Sequence, residues 1–404
     1  MIRLVDDREL LVESTVKTKI KVVGVGGAGG NTVNSMVRSG FDYVEFIAAN
    51  TDSQALENSS AHRVIRLGNK LTRGLGSGTN PEIGRRATEE DLEAIYDAVA
   101  DADIVFLTAG LGGGTGSGGI PVIARALREK GILTIAVVTK PFAFEGRRRS
   151  IVADEALALL HDVVDTLIVL PNQKLIDISD ESLSLLDAFE QVNGFVSRFV
   201  RGIADIIMRP GHINVDFADI QTIMRNAGNA VMGVGQAQGP DRAREATLQA
   251  ISCNLLEGAG VGGARGVLVN IAGSARLGLH EVGAVMNIIY EQVDEEANIV
   301  LGSVIDDALQ DDVCVTLIAT GFTGSAVPAR SSISGKTFVA STKSAGGARI
   351  IDAENVTKQN ISVTTRTQPI EMSASDIDAI ALLDPLDMPA ILRQKNSIVT
   401  QDHE

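Results

Sequence analysis

The sequence is poor in the residue types that mark several classes of protein. Its 404 residues include no Trp, 3 Tyr and 2 Cys. The two cysteines, Cys253 and Cys314, are too few for the disulfide framework of a small secreted domain, and they fit a reducing compartment. No apolar run approaches the ~20 residues that cross a bilayer. The N-terminus carries acidic residues early and lacks the apolar core of a signal peptide. We therefore expect a cytoplasmic protein that does not insert directly into a membrane.

Charge and composition narrow the class further. The net charge of −15 argues against a nucleic-acid partner, because proteins that bind nucleic acid normally present a basic face. Hydrophobic residues at 45% and charged residues at 22% are typical of a globular protein. The 41 glycines follow no G-X-Y period, which excludes a collagen-like chain.

Strand and helix patterns alternate along most of the chain. Apolar, β-rich runs occur at 20–25, 44–49, 103–108, 132–138 and 166–170, with helix-period segments such as 81–100 and 120–130 between them. This alternation predicts an α/β fold with a Rossmann-like parallel sheet. A long central helix is predicted over 181–208, with Asp180 as its N-cap and Pro210 ending it. Further strands at 230–236, 266–271, 298–304 and 313–319, with helices near 241–257 and 279–293, predict a smaller second α/β domain.

The first glycine cluster, GVGGAGGN at 24–31, follows a predicted strand and precedes a helix. Glycines let the backbone approach a phosphate, and a helix N-terminus supplies N–H donors and the positive end of the helix dipole. Gly24, Gly26 and Gly29 also match the G-x-G-x-x-G pattern of a dinucleotide site. A phosphate loop, a Rossmann cofactor site and a plain tight turn therefore all remain open at this cluster.

The second cluster, AGLGGGTGSGG at 109–119, is more specific. A run this rich in glycine loses much backbone entropy on folding, so a simple connector rarely uses it. Its amides can surround phosphate oxygens, and Thr115 and Ser117 add hydroxyl donors. No Gly-Lys-Ser/Thr follows, which excludes a Walker A loop. A Rossmann enzyme does not need a second loop of this kind after a later strand.

Positions 110–118 resemble the phosphate loop of the tubulin/FtsZ family, G-G-G-T-G-[ST]-G, and the resemblance extends from about 21 to 322 and returns near the C-terminus. Positions 26–31, 50–52 and 74–81 are similar to the other phosphate-side loops of the family, and 139–146 to its ribose-side loop. The resemblance implies GTP and GDP as nucleotides, with Phe189 and Asn193 at the guanine. The nucleotide-binding residues that it implies are Gly26, Gly27, Ala28, Gly29, Gly30, Asn31, Asn50, Asp52, Gly76, Ser77, Gly78, Asn80, Gly112, Gly113, Gly114, Thr115, Gly116, Ser117, Gly118, Thr139, Glu145, Arg149, Asn172, Phe189 and Asn193.

Several of these residues have a simpler interpretation when each is taken alone. Phe189 has helical spacing with Val192 and Val196, which favours a core position. Glu145 alone is typical of a solvated loop, and Arg149 of a charged surface run. Asn193 stands where many members of the family have Asp, and an amide at this position can pair with the edge of guanine or of adenine. The order of the motifs along the chain, and no single residue, supports their assignment.

The segment NVDFAD at 214–219 resembles the catalytic loop of the family. By that resemblance Asn214, Asp216 and Asp219 are the catalytic residues, and a carboxylate there can position an attacking water. Asn193 and Arg209 are 16 positions apart on the predicted helix, which is about 24 Å. The loop is therefore expected to reach the nucleotide of a neighbouring chain, in a head-to-tail contact that builds a filament. The alternative is that Asp216 and Asp219 only cap the next helix, and Asp219 can do both.

The resemblance implies a GTPase that is activated by polymerisation into the ring at which bacteria divide. Mg²⁺ is expected to bridge phosphate oxygens and waters, and no metal-ligating residue is predicted because no carboxylate cage is visible. The motif DPLDMPAILR at 384–393 resembles the family's C-terminal peptide, which implies membrane tethers and division regulators as partners. The predicted parts are an N-terminal extension (1–18), a GTP-binding domain (19–180), the central helix (181–209), a C-terminal domain (210–322), a flexible linker (323–375) and a partner-binding peptide (376–404).

Two alternatives of other classes remain at this point. A Rossmann-type oxidoreductase would bind NAD and would not assemble with GTP. A structural or regulatory relative would bind GTP without hydrolysing it, although the complete set of Asn214, Asp216 and Asp219 argues against this.

Overall fold

A computed structural model describes residues 18–178, 183–209, 211–252 and 261–322. The linker and peptide predicted at 323–404, the N-terminal extension up to residue 17, Asp180 and Cys253 lie outside the described residues. Within the described residues no helix is both long enough and apolar enough to cross a membrane.

The first half of the fold is a parallel sheet flanked by helices. Its six strands have the order β3-β2-β1-β4-β5-β6 and all pair in parallel. This is the strand order of a doubly wound dinucleotide-binding fold. The strands are β1 Ile20–Val25, β2 Val44–Asn50, β3 Arg63–Arg66, β4 Ile104–Gly110, β5 Leu133–Lys140 and β6 Thr166–Pro171. The helices are α1 Gly26–Arg38, α2 Ser53–Glu57, α3 Pro81–Glu90, α4 Leu92–Val99, α5 Thr115–Glu129, α6 Arg147–His161 and α7 Gln173–Ile178, with a 3₁₀ turn at Ala143–Glu145.

The second half extends the same sheet. Its strands are β7 Gly211–Ile213, β8 Gly228–Ala237, β9 Gly266–Gly273, β10 Asn298–Ile305 and β11 Val313–Thr320. Its helices are α8 Leu185–Met208, α9 Phe217–Met224, α10 Arg242–Ile251 and α11 Leu279–Tyr290, with a 3₁₀ turn at Asp307–Leu309. The order continues β8-β11-β9-β10-β7, and β6 pairs with β8 in parallel through three residue pairs. The α/β prediction is confirmed, and the two halves share one sheet.

The central helix α8 joins the cores of the two halves. Val196, Phe199 and Ile203 are buried in one cluster with Phe106 of the first half and Leu268 of the second. Phe199 packs edge-on against Phe106, with ring centroids 6.3 Å apart. From Val192 onward α8 packs against both halves, and its unbroken helical geometry sets the separation of its two ends.

The helix predicted at 120–130 begins earlier, at Thr115, and two other predicted helices differ in their continuity or their start. The stretch 81–100 is two helices, because the Asp91 carboxylate accepts hydrogen bonds from the N–H groups of Gly68 and Asn69 and the chain leaves helical geometry there. The central helix begins at Leu185, where the Ser184 hydroxyl accepts from the N–H of Asp187 as an N-cap. The residues Leu183 and Ser184 are not helical, so Asp180 is not the cap.

A buried carboxylate near the C-terminal end of α8 joins three parts of the fold. Asp205 is 6% exposed and lies against the Tyr43 hydroxyl and the Arg209 guanidinium, with 3.3 Å between its Oδ1 and Arg209 Nε. Arg209 also faces Asp306, at 3.5 Å. Burial raises the pKa of Asp205 to about 7, with Asp306 adding to the rise and Arg209 opposing it.

We expect the contribution of Asp205 to the free energy of unfolding to fall as the pH rises from about 4 to 7. The folded chain keeps the Asp205 proton over this range, while the unfolded chain releases it near pH 3.9. The loss is on the order of 4 kcal/mol for a shift of this size. Asp205→Asn keeps the shape of the neutral acid and should unfold with a shallower pH dependence. Urea unfolding of both proteins at pH 5 and pH 8 measures the free energy of unfolding at each pH. An equal change between the two pH values in both proteins would contradict the prediction.

Candidate functional site

The two glycine clusters lie at the carboxyl ends of neighbouring strands. Gly26 begins α1 directly after β1, with φ +75°, and Thr115 begins α5 after β4. In a sheet of this order, β1 and β4 are the pair from which connections leave in opposite directions. A ligand crevice forms at such a switch point, lined by helix N-termini.

The two clusters also touch each other. A Cβ added at Gly26 would lie 2.9 Å from the Gly116 nitrogen, and one added at Gly110 would lie 2.6 Å from the Ala28 Cβ. Gly29 approaches the Thr108 carbonyl in the same way. The glycines are therefore required by the close approach of the two loops. Beside them a cleft of about 280 Å³ is lined by Gly27, Gly30, Asn31 and Asn50, among others.

The segment 74–81 packs onto the second cluster. A Cβ at Gly114 would lie 2.8 Å from the Asn80 nitrogen, and one at Gly118 would lie 2.7 Å from the Arg85 nitrogen. Asn80 caps α3 by accepting from the N–H of Glu82 at 3.0 Å. Gly76 and Gly78 have positive φ, at +84° and +57°. Predicted residues from three separate loops thus form one continuous surface.

Three hydroxyls meet in this surface. Thr115 Oγ1 lies 2.6 Å from Thr51 Oγ1 and 3.1 Å from Ser77 Oγ, and all three residues are buried. Ser117 Oγ accepts from the Gly112 nitrogen at 2.8 Å and holds the turn that contains Gly113. The hydroxyl group and the loop amides make a polar lining that suits phosphate oxygens.

The segment 50–52 is fixed from both sides. Asn50 Oδ1 accepts from the Asp52 nitrogen at 3.3 Å, and Asp52 caps α2. The Thr51 carbonyl oxygen accepts from the N–H of Gly76, and Asp52 and Leu75 form an isolated antiparallel β-bridge. Asp52 is thereby held next to the segment 74–81.

The predicted ribose-side residues form a second group. Glu145 accepts from the Phe142 nitrogen at 2.9 Å and pairs with Arg149, with 2.5 Å between Oε2 and Nη1. The Arg149 backbone adjoins Gly112, since a Cβ added there would lie 2.9 Å from the Arg149 carbonyl oxygen. Thr139 is buried beside Gly110. Asn172 is buried and its Oδ1 has no hydrogen-bond partner, so it can accept a donor from a ligand.

Phe189 and Asn193 lie one turn apart on α8. Phe189 is 38% exposed and packs edge-on against Phe142 at 5.4 Å between ring centroids, whereas Val192 and Val196 are buried. The core interpretation of Phe189 is therefore wrong, and its ring borders the ribose-side group. Asn193 Oδ1 lies 2.8 Å from Thr32 Oγ1 in the first turns of α1.

The segment 214–219 lies past the other end of α8. Asn214 Oδ1 accepts from the Gly211 nitrogen at 2.9 Å, and Asp216 caps α9 by accepting from the Asp219 nitrogen at 2.9 Å. Asp216 therefore caps the helix, a contact that leaves its second carboxylate oxygen available, and Asp219 is an exposed acid in the first turn of that helix. Asn193 and Arg209 are 16 positions apart, about 24 Å for helical backbone. The fold does not bring these three residues to the glycine loops of the same chain.

The acidic residues do not gather into a metal centre in the part of the chain described. Those residues contain no group of three or more His, Cys, Asp or Glu side chains that could hold an ion.

Family models match both halves of the chain. Residues 19–180 match the GTPase domain of the tubulin/FtsZ family, and residues 228–323 match the C-terminal domain of the FtsZ family. The chain belongs to the tubulin/FtsZ family. Its GTPase domain makes it a GTPase that binds guanine nucleotides, and the Rossmann oxidoreductase alternative is wrong.

Individual relatives and solved structures are similar to this chain. The cell division protein FtsZ of Pseudomonas aeruginosa is 45% identical over 95% of this chain and 99% of its own length. The structure of an empty FtsZ dimer from M. jannaschii is 41% identical, covers 78% of this chain and 92% of its own, and superposes with a TM-score of 0.73. CetZ2 from Haloferax volcanii, solved as a GTPγS-bound protofilament, shares the fold at 21% identity and a TM-score of 0.62, over 75% of this chain and 92% of its own.

Three residues that are not among the predicted site residues lie in or beside the glycine loops in the structure. Thr51 contributes the third hydroxyl, and Thr32 contacts Asn193. Gly84 in α3 supports the second cluster, because a Cβ there would lie 2.8 Å from the Gly114 carbonyl carbon. Thr51 stood between two predicted residues, which was a usable signal. Thr32 and Gly84 carried none, since their partners are distant in sequence.

Proposed function

We propose that this chain assembles with GTP into head-to-tail filaments and hydrolyses GTP at the contact between subunits. The observation that carries the proposal is the separation of two groups of residues along α8. The nucleotide loops lie at one end, and Asn214, Asp216 and Asp219 are exposed past the other. In a head-to-tail contact the second group of one subunit meets the first group of the next, and such a contact repeats into a filament.

Each loop has a role in this proposal. The loops 26–31, 74–81 and 110–118 hold the phosphates through backbone amides and the hydroxyls of Ser77 and Thr115. Glu145, Arg149 and Asn172 border the ribose, and Asn172 Oδ1 gains the donor that it lacks. Phe189 and Asn193 contact the guanine. When bound, Mg²⁺ would neutralise phosphate charge, and the hydroxyl-lined surface suits an ion held mainly by phosphate and water.

The catalytic part is supplied in trans. Asp216 and Asp219 carry carboxylates that can orient a water for attack on the γ-phosphate, and Asn214 Oδ1 holds the turn that precedes them. Hydrolysis then removes the phosphate that the next subunit contacts, so turnover weakens the interface.

The test is GTP turnover against protein concentration. We expect the rate per protein molecule to be near zero at low concentration and to rise steeply above a threshold, because a single subunit holds only half of the reaction site. Light scattering in parallel should rise at the same threshold. A rate strictly proportional to protein, without a threshold, would contradict the shared site. Assembly without any phosphate release would favour the non-hydrolysing alternative.

We further propose that the peptide 384–393 binds membrane tethers and division regulators and so places the filament at the cytoplasmic face of the division site. The motif combines two acidic residues, Asp384 and Asp387, with a short apolar run after a stretch of linker composition, which suits a short docking segment. Deletion of 386–392 should leave GTP turnover unchanged and abolish co-sedimentation with native membrane vesicles of the parent organism. Deletion of seven linker residues, 341–347, is the matched control and should retain co-sedimentation. Equal co-sedimentation of both deletions would refute the assignment.

A further inference from the structure

Thr32 makes two contacts that compete for one proton. Its hydroxyl lies 3.0 Å from the Ala28 carbonyl oxygen and 2.8 Å from Asn193 Oδ1, and the residue is 4% exposed. A hydroxyl has one proton to donate, whereas it can accept through two lone pairs. The Ala28 carbonyl can only accept. In the structure Asn193 Oδ1 faces Thr32, so one proton is offered to two acceptors, and both contacts become full hydrogen bonds only if the amide turns its NH₂ to Thr32.

The orientation of the Asn193 amide decides whether a hydrogen-bond acceptor or a donor faces away from Thr32. With Nδ2 toward Thr32, Oδ1 is available to a ligand, and with Oδ1 toward Thr32, Nδ2 is available. A rotation of about 180° around the last side-chain bond exchanges the two, and this torsion is broad and roughly two-fold. Asn193 is half-buried, and the Thr32 hydroxyl beside it can select one of the two amide orientations.

We propose that Thr32 is a positioning residue for base selection: it donates to Ala28 O, accepts from Asn193 Nδ2, and so holds Asn193 Oδ1 toward the base. This rests on the proposed function, because it requires position 193 to contact the nucleobase. Guanine presents N1–H and a 2-amino group on the edge that an acceptor can read. Xanthine has a carbonyl at position 2, and adenine has an acceptor at N1, so both are disfavoured by a fixed oxygen.

The proposal gives Asn193 the acceptor character of an aspartate without its charge. An asparagine that could rotate freely would pair well with xanthine, accepting from N1–H with its oxygen and donating to the 2-carbonyl with its nitrogen. The discrimination between guanine and xanthine thus depends on a hydroxyl that does not itself reach the base.

The experiment measures dissociation constants for GDP and xanthosine diphosphate, with protein kept below the concentration at which it assembles. Thr32→Val removes the hydroxyl at nearly constant shape, and the preference for GDP over xanthosine diphosphate should fall about tenfold, the effect of one lost hydrogen bond. Thr32→Ser keeps the hydroxyl and should keep the wild-type preference. If the valine variant does not fold, Thr32→Ala makes the same comparison.

A double-mutant cycle with Asn193→Asp separates positioning from a general structural effect. Aspartate offers oxygen in either orientation, so removing the Thr32 hydroxyl in that background should leave the preference nearly unchanged. An unchanged preference in the single Thr32→Val variant, a shift toward GDP, or an equal loss in both backgrounds would overturn the inference and leave the proposed function intact. Failure of the wild-type protein to bind GDP at all would overturn both.

Discussion

Replacing Asp216 with asparagine is expected to lower GTP turnover of the assembled protein by about 100-fold, while nucleotide binding and assembly persist. The reason is that positioning of a water by a side chain contributes 10²-fold or more to such reactions. Asp216 lies past the end of α8 that is remote from the glycine loops, so the nucleotide site of the same chain keeps all its residues. Phosphate release and sedimentation with GTP measure the two properties separately.

The N-cap contact provides a control for this experiment. Asp216 accepts from the Asp219 nitrogen at 2.9 Å. Asparagine is as good an N-cap as aspartate, whereas alanine loses about 1 kcal/mol. Asp216→Asn and Asp216→Ala should therefore lose turnover alike but differ in stability toward urea. If only the alanine variant lost turnover, the cap and not the carboxylate would be responsible. Loss of GDP binding in the asparagine variant would overturn the assigned role.

Mixing the asparagine variant with wild-type chains tests whether the carboxylate acts across the subunit contact. The variant keeps an intact nucleotide site, so its GTP is hydrolysed wherever a wild-type subunit supplies Asp216. Each wild-type subunit then serves one interface, and turnover should follow the share of wild-type chains in the filament. A carboxylate acting within its own chain would leave GTP on variant subunits unhydrolysed in single-turnover experiments, and this result would contradict the shared site.

Nine of the strands described were predicted from the sequence to within two residues at each end, among them 20–25 and 266–271, whereas the short strands β3 and β7 were not predicted. Most of their apolar runs, those of β8 and β10 excepted, are buried along nearly their whole length, and such runs contrast sharply with the glycine-rich or polar segments that end them. The glycine loops were predictable for a related reason. A dense glycine run has few uses other than close backbone approach, and the structure shows that approach between Gly26 and Gly116.

The features that the sequence could not reveal depend on contacts between distant segments. The break at Asp91 is made by the N–H groups of Gly68 and Asn69, more than 20 positions away. The pairing of β6 with β8 joins strands on either side of α8. A local pattern records the propensity of a segment but not the partner that overrides it.

The final prediction concerns Gly84, which supports the nucleotide loops without being one of their predicted residues. Gly84 is buried in α3, and a Cβ there would lie 2.8 Å from the Gly114 carbonyl carbon and 3.0 Å from the Thr115 Cα. Both neighbours are backbone, so they cannot rotate away as a side chain can. We expect Gly84→Ala to displace the second cluster, to lower GDP affinity more than tenfold and to destabilise the fold by about 1–3 kcal/mol, the usual cost of overpacking.

Gly283→Ala is the matched control, because Gly283 lies exposed inside α11 and a Cβ there meets no atom within 4 Å. This substitution should stabilise the helix by roughly 0.5–1 kcal/mol and leave GDP affinity unchanged. Isothermal titration with GDP and urea unfolding of both variants provide the measurements. Since the same gain in helix propensity applies at both positions, a difference in sign between them isolates the clash with Gly114. Wild-type GDP affinity in Gly84→Ala would mean that α3 and the second cluster move independently, and the single continuous phosphate surface would then be wrong.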